Sequence, residues 1–343
     1  MWSGGRHVAP LTGRRTGRNV TMKGFDPKWR DFPDYILGIT AEIWERRGIA
    51  TLHHYYAPDI PVRSPGSMVI GNQGVIAATM ATLSEFPDRR LLGEDVIWSG
   101  SPEDGMLSSH RILSTATHSG DGVYGNATGQ TLRYRIIADC HAIKNQINDE
   151  WLIRDQGAIV RQLGWDPKAY AADLIEREGG VEACVRPFTP AIDVAGPYKG
   201  RGNDNEWGAR YADLLNRIMG ADMAAIPASY DEACQLELPG GLTEHGHDAA
   251  DRFWMGLRAS FPDATFSIEH QIGREDAGEP ARAAVRWGLH GKHEGWGSFG
   301  EPSGAEVYVM GISHAEFGPR GLRREFVLFD ETAIWKQIVM QTG

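Results

Sequence analysis

Apolar residues follow two rhythms along this chain, and the change from one to the other happens twice. From Trp29 to Arg47, the residues Tyr35, Ile36, Ile39, Ile43 and Trp44 recur at helical spacing. A second helix is predicted over 72–86, ending at Phe86-Pro87-Asp88, where proline cannot continue it and aspartate favours a turn. Beyond it the period falls to two. Segments near 90–98, 106–117, 131–142 and 149–163 read as strands, with a tight turn over 145–149 before the last. The same order returns as helices over 206–223 and 248–261 and strands near 265–272, 281–290, 305–316 and 323–338, with Gly318-Pro319-Arg320-Gly321 as the matching turn. Helices followed by a meander of long antiparallel strands predict an α+β fold. The natural closure is a curved sheet wrapped on the helices, leaving a conical pocket.

The recurrence is a true repeat with an offset of 175 residues, needing no gap from Ile43/Ile218 to Gln162/Gln337. Phe86-Pro87-Asp88 returns as Phe261-Pro262-Asp263, Arg111 as Arg286, and His118-x-Gly120-x-Gly122 as His293-x-Gly295-x-Gly297. Gly125 and Gly129 return as Gly300 and Gly304, Glu150 as Glu325, and Asp155 as Asp330. Glycines held in register mark backbone conformations or close approaches that other residues resist. A period this long is a domain, so two copies of one fold are expected at 24–166 and 203–343, with 167–202 as linker.

Composition narrows the function classes. A net charge of −10 argues against a nucleic-acid footprint, which would be basic. No apolar run reaches the ~18 residues a membrane span needs. Cys140, Cys184 and Cys234 have no paired spacing, so neither a disulfide framework nor a zinc knuckle is implied, and a cytoplasmic location is expected. The Arg- and Gly-rich stretch 1–21 has no apolar segment of a secretory signal; it reads as sequence upstream of a start at Met22 or, with 22–23, as a disordered tail. No dinucleotide fingerprint, P-loop or nucleophile elbow is present, so no cofactor is expected. Glu244-His245-x-His247-Asp248 has metal-like spacing, yet reads equally as the loop and N-cap of a helix. No metal is expected.

The last strands carry a resemblance. Arg286-Trp287, HEGWGSFGEPSG (293–304), VYVMGISHAEF (307–317) and REFVLFDETAIWKQI (324–338) are similar to SnoaL-like polyketide cyclases of the nuclear transport factor 2-like superfamily. THSGDGVYGNATG (117–129) and EWLIRDQGAIVRQLG (150–164) match in the first half. The resemblance implies two tandem cone-shaped α+β barrels and a cofactor-independent acid/base enzyme for a small organic carbonyl or hydroxyl substrate. The reaction would be an aldol-type cyclisation, a lyase or dehydratase step, or an isomerisation. Single-domain members of the superfamily often pair through their sheets, so the halves are expected to form that pair within one chain as a pseudo-twofold. A homodimer of the whole is left open.

The matched positions carry the candidate chemistry. Asp139-x-His141 aligns with His314-x-Glu316, and residues at i and i+2 on a strand share a face, so each half would present one carboxylate and one imidazole together. If that face lines the barrel, the pair is a general acid/base; if not, it is a solvated face or ion pair. His118 and His293 either donate to a substrate at the pocket mouth or cap the glycine turn, and the resemblance places a histidine of this region in the site. Glu150 and Asp155 differ by five, so on a regular strand they face opposite ways. Asp155 shares its face with Trp151 and Ile153, and Asp330 with Phe326 and Leu328, which predicts the aspartates as the buried carboxyls and proton-transfer candidates.

Arg111 and Arg286 would anchor an acidic substrate or pair with a neighbouring carboxylate. Tyr55 and Tyr230, with His53 beside the first, would offer polar groups to the cavity. Trp151 and Trp287 would wall a ligand pocket, aromatic cage or core. Two other readings fit the same residues. One is a binding or scaffold protein without proton transfer. The other is a water-activating hydrolase using an Asp–Arg–Asp relay drawn from Arg111 and Asp155.

Overall fold

The computed structural model describes residues 22–343; the expected tail at 1–21 lies outside them. The first half contains α1 (Phe32–Thr40), extended by a π turn over Ala41–Glu45, then α2 (Leu52–Tyr55), a hairpin of β1 (Pro61–Ser64) and β2 (Ser67–Ile70), and α3 (Asn72–Glu85). The meander is β3 (Arg90–Ser101), β4 (Gly105–Thr117), β5 (Thr131–Ile143) and β6 (Gln146–Arg154), closed by α4 (Gln156–Gln162). After α5 (Pro167–Arg177) the plan repeats as α6 (Glu206–Met219), α7 (Ala225–Ser229), β7 (Tyr230–Leu238), β8 (Leu242–His245) and α8 (His247–Ser260). It ends with β9 (Thr265–Arg274), β10 (Arg282–Lys292), β11 (Glu306–Gly318), β12 (Gly321–Leu328) and α9 (Glu331–Thr342).

The two sheets have one topology, β2-β1-β6-β5-β4-β3 and β8-β7-β12-β11-β10-β9, with β1 and β7 running parallel to β6 and β12 and all other pairs antiparallel. The first hairpin of each sheet is not evident from the sequence: β1, β2 and β8 have four residues each, too few for a period to show. The last strand of each copy is shorter than expected. It stops at Arg154 and Leu328, and Asp155, one residue on, or Asp330, two residues on, caps a helix.

On the concave side of the first sheet, Phe32, Tyr35, Ile36 and Ile39 of α1 pack over Met106, Ala138 and Cys140. The convex sides of the two sheets pack against each other, and the contacts are reciprocal. Arg111 bonds Glu94 at 3.0 Å on its own sheet, meets His314 Nδ1 at 3.1 Å across the interface, and stacks 3.4 Å over Phe326. Its counterpart Arg286 bonds Glu269 at 3.3 Å, pairs with Asp139 across the interface, and stacks 3.7 Å over Trp151. With the 175-residue offset, each of these residues is the repeat partner of its opposite number. This is the isologous pattern of a twofold dimer, realised inside one chain.

The difference between the copies lies inside the cones. In the second, Trp287 and Trp254 are fully buried and pack mostly edge-to-face against each other and against Phe329, Phe253 and Phe266. A side chain at position 311 would collide with the Trp287 indole, so Gly311 makes room for it. The first copy has Ile112 where the second has Trp287, Ala78 and Thr79 where it has Phe253 and Trp254, and Arg154 where it has Phe329. Those smaller or polar side chains leave the first cone hollow.

Candidate functional site in the first cone

The hollow is a cavity of about 440 Å³, within the range of small-molecule sites. Even-numbered residues of the central strands face it: His110 and Ile112 from β4, Ile136, Ala138 and Cys140 from β5, and Glu150, Leu152 and Arg154 from β6. Helix α3 contributes Ala78, Thr79 and Thr82, and the β1–β2 turn contributes Pro65 and Gly66. The second half supplies a wall too, through Asp330, Thr332, Ala333 and Lys336 at the start of α9. Lys336 is held by an ion pair with Glu178 at the end of α5. The first site is therefore incomplete without the second domain.

Three features give the cavity chemistry. Glu150 is buried, with its Oε2 lacking any hydrogen-bond partner. Burial drives its carboxyl up to about 7, against opposing contributions from the Tyr56 phenol and the Cys140 thiol beside it. His110 is buried and kept neutral, its pKa lowered to about 4 by desolvation, with Nδ1 3.2 Å from Ser108 Oγ. Among the described residues its other ring nitrogen has no protein partner. Register sets the spacing: Glu150 lies opposite Cys140 on β5 and His110 opposite Ala138, so one strand separates them. Two strand spacings amount to about 10 Å, room for a substrate between the groups. The third feature is a pair of arginines, Arg89 and Arg154, at the other end.

The second-copy equivalent of Glu150 is enclosed. Glu325 accepts from Tyr211 Oη at 2.7 Å and Tyr230 Oη at 2.9 Å, with Trp254 Nε1 at 3.4 Å. Its carboxyl is also raised to about 7 by burial, but its oxygens are already engaged and the space before it is filled by tryptophan.

The carboxylate–imidazole faces expected as acid/base pairs are not the cavity wall. Asp139, His314 and Glu316 lie at the interface between the sheets, where Asp139 pairs with Arg286, His314 Nε2 lies 2.8 Å from Ser109 Oγ, and Glu316 holds Arg324 and Arg111. His141 bonds Asn148 at 2.6 Å and packs on linker residue Tyr198. The physical reason is that both faces of β5 and β11 are buried, so alternation gave no cue to which face looked inward, and a one-residue shift exchanges them. Arg111 and Arg286 take the pairing role, and Trp151 is the platform under Arg286.

The aspartates are helix caps. Asp155 accepts Ala158 N at 2.9 Å and also Gly240 N and Gly241 N at 2.9 and 3.0 Å, tying α4 to the β7–β8 turn. Asp330 accepts Thr332 N at 2.8 Å and Ala333 N at 3.3 Å; of the two, only Asp330 reaches the first cavity, as a neighbour on its wall. A relay through Arg111 and Asp155 has no site, since neither lines the cavity.

His118 bridges Thr128 and Glu85 at 3.1 and 3.2 Å, and His293 meets Ser303 at 3.0 Å, so both fasten the glycine-rich loop. Tyr55 bonds Lys28 and Glu42, leaving its neighbour Tyr56 to line the cavity, and His53 is exposed. Tyr230 and Trp287 belong to the filled second core. His247 Nε2 lies 3.1 Å from the Tyr230 carbonyl, in a stretch where the other metal-like residues are exposed.

His110, Arg89 and Arg154 escaped sequence reasoning because their repeat partners are Val285, Ala264 and Phe329. A comparison of side-chain volumes between the copies would have exposed them.

Residues 34–163 match the SnoaL-like polyketide cyclase family and residues 209–323 the SnoaL-like domain family. No curated protein matches the chain. Similar solved structures include wild-type IdmH, a candidate polyketide cyclase from Streptomyces antibioticus, at 22% identity over 39% of this chain and 98% of that one, with a TM-score of 0.34. AclR, a candidate hydroxylase from Streptomyces galilaeus, is 20% identical over 38% of this chain and 94% of its own, TM-score 0.34. TsrD from Streptomyces laurentii is 20% identical over 38% and 93%, TM-score 0.33. The chain is a tandem SnoaL-like protein, two SnoaL-like domains in one polypeptide.

Proposed function

We propose that the first domain is a cofactor-independent acid/base enzyme acting on a small organic carbonyl compound, and that the second is its structural companion. Glu150 takes the proton next to the carbonyl, and neutral His110 donates a hydrogen bond to the developing enolate oxygen. An imidazole rather than an imidazolium suits this role, because a weaker acid stabilises the enolate without being ionised itself. The step is common to aldol-type ring closure, dehydration and isomerisation. The single observation that carries the reading is the copy difference: the glutamate common to both halves meets a cavity in the first and a packed aromatic core in the second.

Exchange of α-protons from aryl 1,3-diketones into deuterated water, followed by NMR, tests this directly. Glu150 must be ionised to act as base, and its pKa is about 7. Catalysed exchange is therefore expected to fall tenfold per pH unit below about 7 and to level off above it. Exchange indistinguishable from the buffer rate at every pH would remove proton transfer and leave ligand binding as the role of the cavity.

A further inference from the structure

We propose that the end of the first cavity opposite Glu150 is an anion subsite, formed by Arg89 and Arg154, that takes the carboxylate of an organic-acid substrate. The proposal rests on the reading of the first cone as the active site and deepens it to a substrate class.

Arg89 is buried, 7% exposed, and its side chain meets only neutral groups, Ser114 Oγ at a long 3.5 Å from Nε and the Tyr134 phenol. Nε of Arg154 is buried without a partner, and the side chain otherwise meets the Tyr124 phenol. Both side chains line the cavity, and among the described residues neither makes an ion pair. That is unusual here: Arg63, Arg111, Arg135, Arg282 and Arg286 are each salt-bridged to Asp or Glu. The cost of lacking a counterion falls on Arg89, whose charge is disfavoured by burial and by the neighbouring Arg154 guanidinium, while phenols and Asp330 support Arg154; a bound anion relieves the cost at Arg89.

The surroundings agree. Burial alone would raise the pKa of Tyr134, yet the charges of Arg89 and Arg154 pull it below the ordinary phenol value. Asp330, a carboxyl on the same cavity wall, acts favourably on Arg154 but makes no ion pair with either arginine; its oxygen caps α9, and burial raises its carboxyl to about 7. In the second copy Ala264, Phe329 and Val309 stand where Arg89, Arg154 and Tyr134 stand in the first. The charged cluster is thus present only where there is a cavity.

A planar two-oxygen anion fits a guanidinium fork, which a neutral carbonyl does not match. Arg154 and Glu150 are four residues apart on one face of β6, about 13 Å along the strand. Between them lie Leu152 and Ala138, while Ile136 and Ile112 stand level with Arg154 on the next two strands. The ligand is accordingly an apolar body of about two fused rings, with its acid at the arginines and its reacting carbon near Glu150.

Isothermal titration with 2-naphthoate and 2-naphthamide, which differ only in the charged group, tests the subsite without requiring turnover. The wild-type protein is expected to bind the acid at least about tenfold more tightly than the amide. Arg89→Met and Arg154→Met, each checked for folding by thermal melt, should each abolish that preference while leaving amide binding in place. Glu150→Gln should retain the preference, so a failure of the acid/base reading would leave this result standing. Equal affinity for acid and amide, no binding of naphthoate at millimolar concentration, or a preference that survives in both arginine variants would overturn the proposal. Tighter binding of 2-naphthyl phosphate than of naphthoate would overturn the assignment of a carboxylate.

Discussion

Glu150→Gln is expected to lower catalysed α-proton exchange by about 10²–10⁴-fold, the usual share of a positioned general base. The same change should make the protein more stable above neutral pH. Burial raises the Glu150 carboxyl from the ordinary 4.5 to about 7. Between those values the folded protein keeps a proton that the unfolded chain has released, so the folded state is favoured at low pH. That advantage is lost as pH rises through about 7, and above it the buried charge costs up to about 3 kcal/mol. Glutamine carries no such charge. Urea unfolding at pH 5 and pH 9 should therefore show the variant gaining stability relative to wild type at pH 9 but not at pH 5. Loss of exchange with a parallel loss of folding at both pH values would assign Glu150 a structural role instead.

The second large effect lies far from the cavity. Arg286→Met leaves Asp139 buried and charged in the interface between the sheets, and a broken buried pair costs about 3–5 kcal/mol. Burial already raises the Asp139 carboxyl, and Arg286 is the main influence holding it down. Pairing Arg286→Met with Asp139→Asn removes the stranded charge, and much of the loss should return. Urea denaturation of the two single variants and the double variant measures this. Exchange per folded molecule should stay at the wild-type level in Arg286→Met, because Arg286 touches the platform residue Trp151 and not the cavity. A stable Arg286→Met protein with no exchange would return this interface to the list of catalytic candidates.

These two residues show how far the sequence could be read. The fold was legible because the constraints that make it recur in both halves: the Phe-Pro-Asp stops, the loop glycines and the terminal aspartate before each closing helix. The same recurrence drew attention to Arg111, Asp139, Asp155 and their partners, and these serve the interface and the helix caps. Residues kept in both copies answer to what both copies share, which is architecture. The cavity is what they do not share. His110, Arg89 and Arg154 have apolar counterparts, so matching alone passed over them. Glu150 is the exception, matched yet placed on the wrong face in the sequence reading. Asp155 reads as a strand residue in the sequence, but the strand ends one position earlier. The apolar neighbours used to orient it, Trp151 and Ile153, face the other sheet, since a strand buried on both sides has no polar face to betray its orientation.

The most direct measurement moves the difference between the copies into the first cone. Thr79→Trp places there the side chain that fills the second, at the repeat partner of Trp254. The account expects a folded protein, with a melting temperature equal to or above that of wild type, whose α-proton exchange drops to the buffer rate. A variant that is folded, filled and exchanging at the wild-type rate would contradict it.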